Sequence, residues 1–306
     1  MYNRLALIVE DPATNLLLEN VKFIPTAKYI TFGNSQGKRF KYGYPVKKDV
    51  ANMCIDGNDI FSIEEQLQVL ASHLKPDQII LVNMSYNTLK YRDTVDESMT
   101  QQLRRFYYAL PWSYASAGSV SKFIKCKFFV INRMRDVDEL VKKLKKRHSW
   151  KMNKVNEDTV PHSAVLLAGM KMQSTRETGA ESQLSLIRAG AKFFPDIDAK
   201  AAKALKEMEK IADDHHLRLI FFATPTFVDA RKKFGLAKAD SIQSYVANLL
   251  KDDHIEYYDH FNDSEFVNRI DYYKDGVHLS RDGANAFTSK LINEIQAHPA
   301  ENYRGQ

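Results

Sequence analysis

Cysteine is scarce in this sequence: two in 306 residues, Cys54 and Cys126. They lie far apart and lack metal-ligand spacing. A disulfide framework is therefore not expected, and both thiols are read as buried and unbridged. Long apolar runs are lacking too. No stretch approaches the roughly twenty apolar residues that a membrane helix needs. The apolar run near the N-terminus is too short for a secretory core and is followed directly by acidic residues. On the chain as given, the expectation is a cytoplasmic protein or a soluble part of a longer anchored one. Zinc-finger spacing, an RNA-recognition signature and a Gly-Lys-Ser/Thr phosphate loop are all missing, so nucleic acid and nucleotides are not expected partners. Charge of one sign is in modest excess, at net +6 with a pI of about 9.0. This assists approach to an acidic polymer without identifying one.

At 44% hydrophobic and 27% charged residues, the chain can bury a full core, and residues 1–306 are read as one domain. Five short apolar runs bounded by turn residues read as strands: 29–32, 50–55, 78–84, 216–225 and 255–259. The third is continuous and apolar, as expected of a strand covered on both faces. Helical patterns lie between them. One begins where Ser62 and Glu65 have the spacing of a capping box, ahead of Leu67, Val69, Leu70 and Leu74. Others span 199–213, with Ala204, Leu205, Met208 and Ile211 on one face, then 239–250 and 284–296. Strands linked through helices make an α/β protein, a three-layer α/β/α sandwich around a five-stranded parallel doubly wound sheet.

From about 90 to 161 the strand pattern stops. Residues 96–108 suit a helix, 110–122 are rich in Ser, Ala and aromatics, and 136–147 are amphipathic, with Val137, Leu140, Val141 and Leu144 in one stripe. This segment is read as a helical insertion between the third and fourth strands, over the edge where ligands bind. Its basic end, with Lys142, Lys143, Lys145 and Lys146, has two readings. Acids early and lysines late suit the helix dipole of a solvated face. The same face would also suit an anionic partner such as an acidic glycan, a lipid surface or nucleic acid.

The chemistry-bearing stretches lie at the ends of strands. Residues 29–32 run into Gly33-Asn34-Ser35-Gln36-Gly37, which holds a serine at the C-terminal end of a strand, the edge where open α/β sheets bind ligands. Ser35 there is either a cap for the following helix or an exposed nucleophile beside backbone N–H groups. Far downstream, Asp275-Gly276-Val277-His278 precedes the last helix. A carboxylate three residues before an imidazole can hold one ring nitrogen and leave the other free for a serine hydroxyl. On its own this pattern also fits a solvated loop. Gly57, after the second strand, faces the same edge, and on its own reads as a glycine needed for the turn. His215 and His216 have no acidic ligand set around them and read as surface or structural.

Taken together, Gly-x-Ser after the first strand and His before the last helix resemble the SGNH, or GDSL-like, hydrolase and acyltransferase superfamily. The stretch Ser85-Tyr86-Asn87-Thr88 lines up with its Gly-x-Asn-Asp block. The Thr224-Pro225 stop after the fourth strand resembles the branch that modifies polysaccharide O-acetyl groups. The resemblance covers both ends and the strand framework, but not the middle third. It implies Ser35 as nucleophile, His278 as base and Asp275 as its orienter. It also implies an oxyanion hole of the Ser35 and Gly57 N–H groups with the Asn87 amide, for which Asn83 is the competing choice. No metal and no cofactor is implied. The implied activity is O-acetyl transfer or ester hydrolysis on a carbohydrate or small acyl ester. The sequence departs from the pattern at Asn34 and Thr88, where the pattern has aspartates, and at Ser85, where it has glycine. Those departures motivate a second reading, a catalytically silent glycan-binding or polysaccharide assembly protein of the same fold.

Overall fold

A computed structural model of the chain describes residues 12–42, 49–84, 88, 101–128, 194–228, 236–251, 255–274 and 277–298. Five strands form one sheet: β1 Tyr29–Phe32, β2 Val50–Asn52, β3 Ile79–Asn83, β4 Arg218–Ala223 and β5 Glu256–Asp259. All neighbours are parallel, in the order β2-β1-β3-β4-β5. Every residue of β1, β2 and β3 is buried, which is why these strands read as unbroken apolar runs. From β1 the chain steps out to β2 and then returns to β3 on the other side of β1. The order therefore reverses at β1, and the C-terminal ends of β1 and β3 flank that switch point, the place where open α/β sheets bind ligands.

Helices cover both faces. In chain order they are α1 Pro12–Val21, α2 Ile60–Ala71, α3 Gln101–Ala109, α4 Val120–Phe128, α5 Phe194–Asp214, α6 Leu236–Lys251 and α7 Arg281–Ala297. Ile30, Phe32, Ile80, Val82 and Phe221 point into a core shared with α1 to α6. Tyr29, Leu81, Ile220 and Phe222 point the other way, into a core built with Phe40 and with Phe287, Leu291 and Ile295 of α7. The alternation along each strand thus feeds two separate apolar layers. Among the described residues no helix is long and apolar enough to cross a membrane.

Several local expectations are corrected. Ser62 and Glu65 do not form a capping box. Helix α2 starts earlier, at Ile60, because Ile60 and Ile63 are both fully buried, and its N-cap is Asp59, whose carboxylate accepts the Ser62 N–H at 2.8 Å. Glu65 instead accepts from the Tyr107 hydroxyl at 2.6 Å and pairs with Lys122. The described part of the link from β1 to β2 is a six-residue 3-10 turn, Gly37–Tyr42, in place of an α-helix. The second strand's ladder ends at Asn52, although the Met53 and Ile55 N–H groups still reach the Thr31 and Gly33 carbonyls at 2.7 and 3.0 Å.

Helices α1 and α4 are additions to the sequence reading. Proline opens α1, where its missing N–H leaves no hydrogen bond unmade, and Leu17 and Val21 bury its inner side. Phe123 and Cys126 do the same for α4. Of the segment 90–161, residues 101–128 carry α3, the 3-10 turn Trp112–Tyr114 and α4. Its remainder, including Lys142, Lys143, Lys145 and Lys146, lies outside the described residues apart from this span. Both cysteines are buried and no disulfide joins them.

Candidate active site

The turn after β1 is shaped by what lies beneath it. Gly33 has φ +153°, a conformation that side chains rarely adopt, and a Cβ there would sit 2.6 Å from the Asn83 Cβ. A Cβ at Gly37 would sit 2.8 Å from the Cys54 sulfur and 3.0 Å from the Asn83 Cβ. The two glycines around Ser35 therefore let the turn lie directly on the end of β3. Asn34 bends it further, its side-chain oxygen accepting the Gln36 N–H at 2.9 Å. Asn52, at the end of β2, donates to the Gly37 and Lys38 carbonyls at 2.9 and 3.1 Å and so holds the exit of the turn. The short-range polar role falls to Asn34, and the Ser35 hydroxyl points elsewhere.

It points to His278. The loop bearing this histidine is closed by an antiparallel bridge between Tyr273 and Leu279, and the Lys274 N–H donates to the His278 carbonyl at 2.9 Å. Ser280 then caps α7, accepting the Gly283 N–H at 3.2 Å. Gly283 has no room for a side chain, because a Cβ there would be 2.1 Å from the Tyr272 carbonyl oxygen. Helix α7 is in turn fixed to the 3-10 turn that follows Ser35. Thr288 donates its hydroxyl proton to the Phe40 carbonyl, and the Phe40 ring packs 5.2 Å from Phe222 and 6.4 Å from Phe287. The outcome is a contact between residues 243 positions apart: His278 Nε2 lies 2.9 Å from Ser35 Oγ. With the imidazole neutral and its proton on Nδ1, the Ser35 hydroxyl donates to Nε2, the arrangement a general base requires.

Asp275 and Asn87 lie outside the described residues. Gly57 stands two residues past Ile55, whose N–H binds the Gly33 carbonyl, and so belongs to the same edge; its φ of +73° requires glycine. Asn83, at the end of β3, is fully buried, and neither its amide oxygen nor its amide nitrogen has a hydrogen-bond partner among the described residues. Thr88 is also fully buried. Its hydroxyl accepts from the Asn34 amide at 3.3 Å and donates to the Asn83 carbonyl at 3.2 Å, and its own carbonyl accepts the Ile60 N–H at 2.8 Å.

Sequence reasoning gave Asn34 and Thr88 no role beyond departures from a pattern, and it gave Asn52 and Gly283 none. A glycine next to a predicted helix start was the one available signal for Gly283. The Cys54 thiol, near Gly37, is held well above the ordinary thiol range by burial first and by Asp56 second, so it is no candidate nucleophile.

A separate cleft of about 450 Å³ lies between α2, α3 and α4, with Glu64, Gln68, Tyr107, Ser119 and Lys122 in its lining and no residue of the Ser35 or His278 segments. Burial, and then Glu207, raise the Glu64 carboxyl above its ordinary range. Among the described residues no group of His, Cys, Asp and Glu side chains could hold a metal ion.

No protein-family model matches this chain, and no curated protein does. Among solved structures it is similar to a Bacteroides fragilis protein described as "a putative acylhydrolase". The identity is 12%, the match covers 94% of this chain and 99% of that one, and the TM-score is 0.43.

Proposed function

We propose that the protein is a serine-dependent acyl-transfer enzyme in which Ser35 carries the acyl group. The observation that supports this is the 2.9 Å contact between Ser35 Oγ and His278 Nε2 at the C-terminal edge of a parallel sheet. In this reading His278 removes the Ser35 proton as Oγ attacks an ester carbonyl, and Asp275 holds the resulting imidazolium. The carbonyl oxygen becomes an oxyanion, held by the Ser35 and Gly57 N–H groups with the Asn87 amide. The intermediate collapses, the alcohol leaves with the proton from His278, and the acyl group stays on Ser35. Water or a sugar hydroxyl then gives its proton to His278 and attacks the acyl carbonyl, and the returning proton restores Ser35.

The substrate class proposed is an O-acetylated carbohydrate, and it rests on the resemblance of the third and fourth strand blocks to the polysaccharide-modifying branch. Lys142, Lys143, Lys145 and Lys146 would contribute to binding an anionic glycan or surface without taking part in the chemistry. Their charge reversal should weaken such binding, more so at low salt, and leave turnover of small uncharged esters unchanged.

Intact-mass measurement after treatment with a serine-directed organophosphonate tests the central claim. One adduct on the wild-type protein and none on Ser35→Ala is the expected result. An adduct that persists in Ser35→Ala would sink it by placing the reactive nucleophile elsewhere, and a wild-type protein that takes none and hydrolyses no chromogenic acetyl ester would sink it and favour the silent glycan-binding alternative.

A further inference from the structure

The two positions at which the sequence departs from aspartate, Asn34 and Thr88, touch each other. Their contact is buried, with Asn34 3% and Thr88 0% exposed. Both contribute uncharged groups, an amide N–H on one side and a hydroxyl oxygen on the other. Two carboxylates at this separation would repel, or one would have to keep a proton. An amide and a hydroxyl need neither, so this buried contact carries no charge.

The contact also stands at a junction. Asn34 neighbours Ser35 and shapes its turn through the Gln36 N–H. The Thr88 hydroxyl binds the last carbonyl of β3, and the residue before it in sequence is Asn87. The Thr88 carbonyl binds the N–H of Ile60, the first residue of α2, three positions after Gly57. One residue therefore ties together the three segments from which the oxyanion site proposed above would be drawn. We propose that Asn34 and Thr88 form an uncharged clamp, a pair of positioning residues that sets the Ser35 turn against the end of β3 and the start of α2. This rests on the acyl-transfer reading.

Thr88→Val removes the hydroxyl while keeping the volume and the carbonyl, and Thr88→Ser keeps the hydroxyl. With a small chromogenic acetyl ester, Thr88→Val should lower kcat roughly 10- to 100-fold, the effect of a misplaced reacting group, with KM little changed. Thr88→Ser should recover most of the rate. Asn34→Ala should lower kcat to a similar extent, and the Asn34→Ala/Thr88→Val double variant should be no slower than the slower single one, because the two act as a unit.

A folded Thr88→Val with wild-type kcat overturns the clamp. So does an equal loss in Thr88→Ser, which would make shape and not the hydroxyl responsible, and so do fully additive losses. If Thr88→Val does not fold, Asn34→Ala decides, and an unchanged kcat there overturns the proposal. Organophosphonate labelling of the wild-type protein separates the two levels. No label on Ser35 together with no hydrolysis of the acetyl ester removes the acyl-transfer reading and the clamp with it, whereas a labelled wild type with an unaffected Thr88→Val removes the clamp alone.

Discussion

The two faces of the sheet are built to different plans. On one face, residues from six helices, α1 to α6, close over Ile30, Phe32, Ile80, Val82 and Phe221. On the other, the described cover is α7, the 3-10 turn with Phe40, and the loops that carry Phe227, Phe266 and Tyr273. Both members of the Ser35–His278 contact belong to this thinner face. Ser35 leads into the 3-10 turn, and His278 leads into α7. The thick face provides a scaffold, and the thin one brings the proposed nucleophile and base together through the docking of one helix. Loss of chemistry and loss of fold should therefore separate according to which face is disturbed.

The largest effect is expected from the contact itself. If the proposed acyl-transfer reading holds, Ser35→Ala or His278→Ala should reduce ester turnover by several orders of magnitude, since a nucleophile and its base act as a unit. The melting temperature should hardly move, because neither side chain belongs to an apolar core. An ester assay beside a thermal melt checks both halves.

Next come the cores. Phe287→Ala on the thin face and Phe106→Ala on the thick face should each cost about 3–5 kcal/mol of stability, as both rings are fully buried. Measured per folded molecule, kcat should fall only for Phe287→Ala. Equal losses of kcat would erase the distinction between the faces. Asn87→Ala should lower kcat roughly 10²–10³-fold if its amide meets the oxyanion. If Asn83→Ala has that effect and Asn87→Ala has none, the amide role passes to the end of β3.

A smaller effect concerns pH. Asp263 is linked to His260 at 2.9 Å and to Lys290 of α7 at 2.8 Å. Burial alone would raise its carboxyl, but the hydrogen bonds from Lys290, the Glu265 N–H and His260 bring it below the ordinary aspartate range. In acid the unfolded chain then binds its proton first, so this stabilisation is present above the ordinary aspartate range and is lost as pH falls through the depressed folded value. Lys290→Met should flatten that acid limb of a melting temperature against pH profile, and an unaltered limb would assign it to other carboxylates. The smallest effect is expected on the thick face, where the half-buried Lys122–Glu65 pair is worth about 0–1 kcal/mol. Lys122→Met should scarcely change either stability or turnover.

The sheet was readable because β1 and β3 are buried on both sides and had to be apolar throughout. Ser35 and His278 were readable because each sits where a strand ends or a helix begins, and such positions are marked by glycine and by turn residues. The distance between them was not. It depends on Phe40 meeting Phe222 and Phe287, and a ring in a short 3-10 turn has no periodicity to betray it. The cap of α2 was misread because Asp59 and Ser62 are equally good caps, and burial of Ile60 decided between them. Asn34 and Thr88, 54 positions apart, were visible only as departures from a pattern. Each partner's meaning came from the other, and pairing between distant polar residues leaves no local trace.

The span of 243 positions between Ser35 and His278 also bears on the order of events as the chain folds. Contacts so distant along the chain form only after the loop between them has been closed, so they come late. The β1–β2–β3 ladder can assemble from the first third of the chain, but the serine gains its partner only when α7 has docked. In mild denaturant the order should reverse: α7 loosens as a local unit before the six-helix side gives way. Turnover should then disappear at a lower urea concentration than far-ultraviolet circular dichroism reports for the fold, and the α7 amides should exchange with deuterium ahead of those in β3. Activity in this protein would then report whether its two ends have met, a condition distinct from whether the chain is folded.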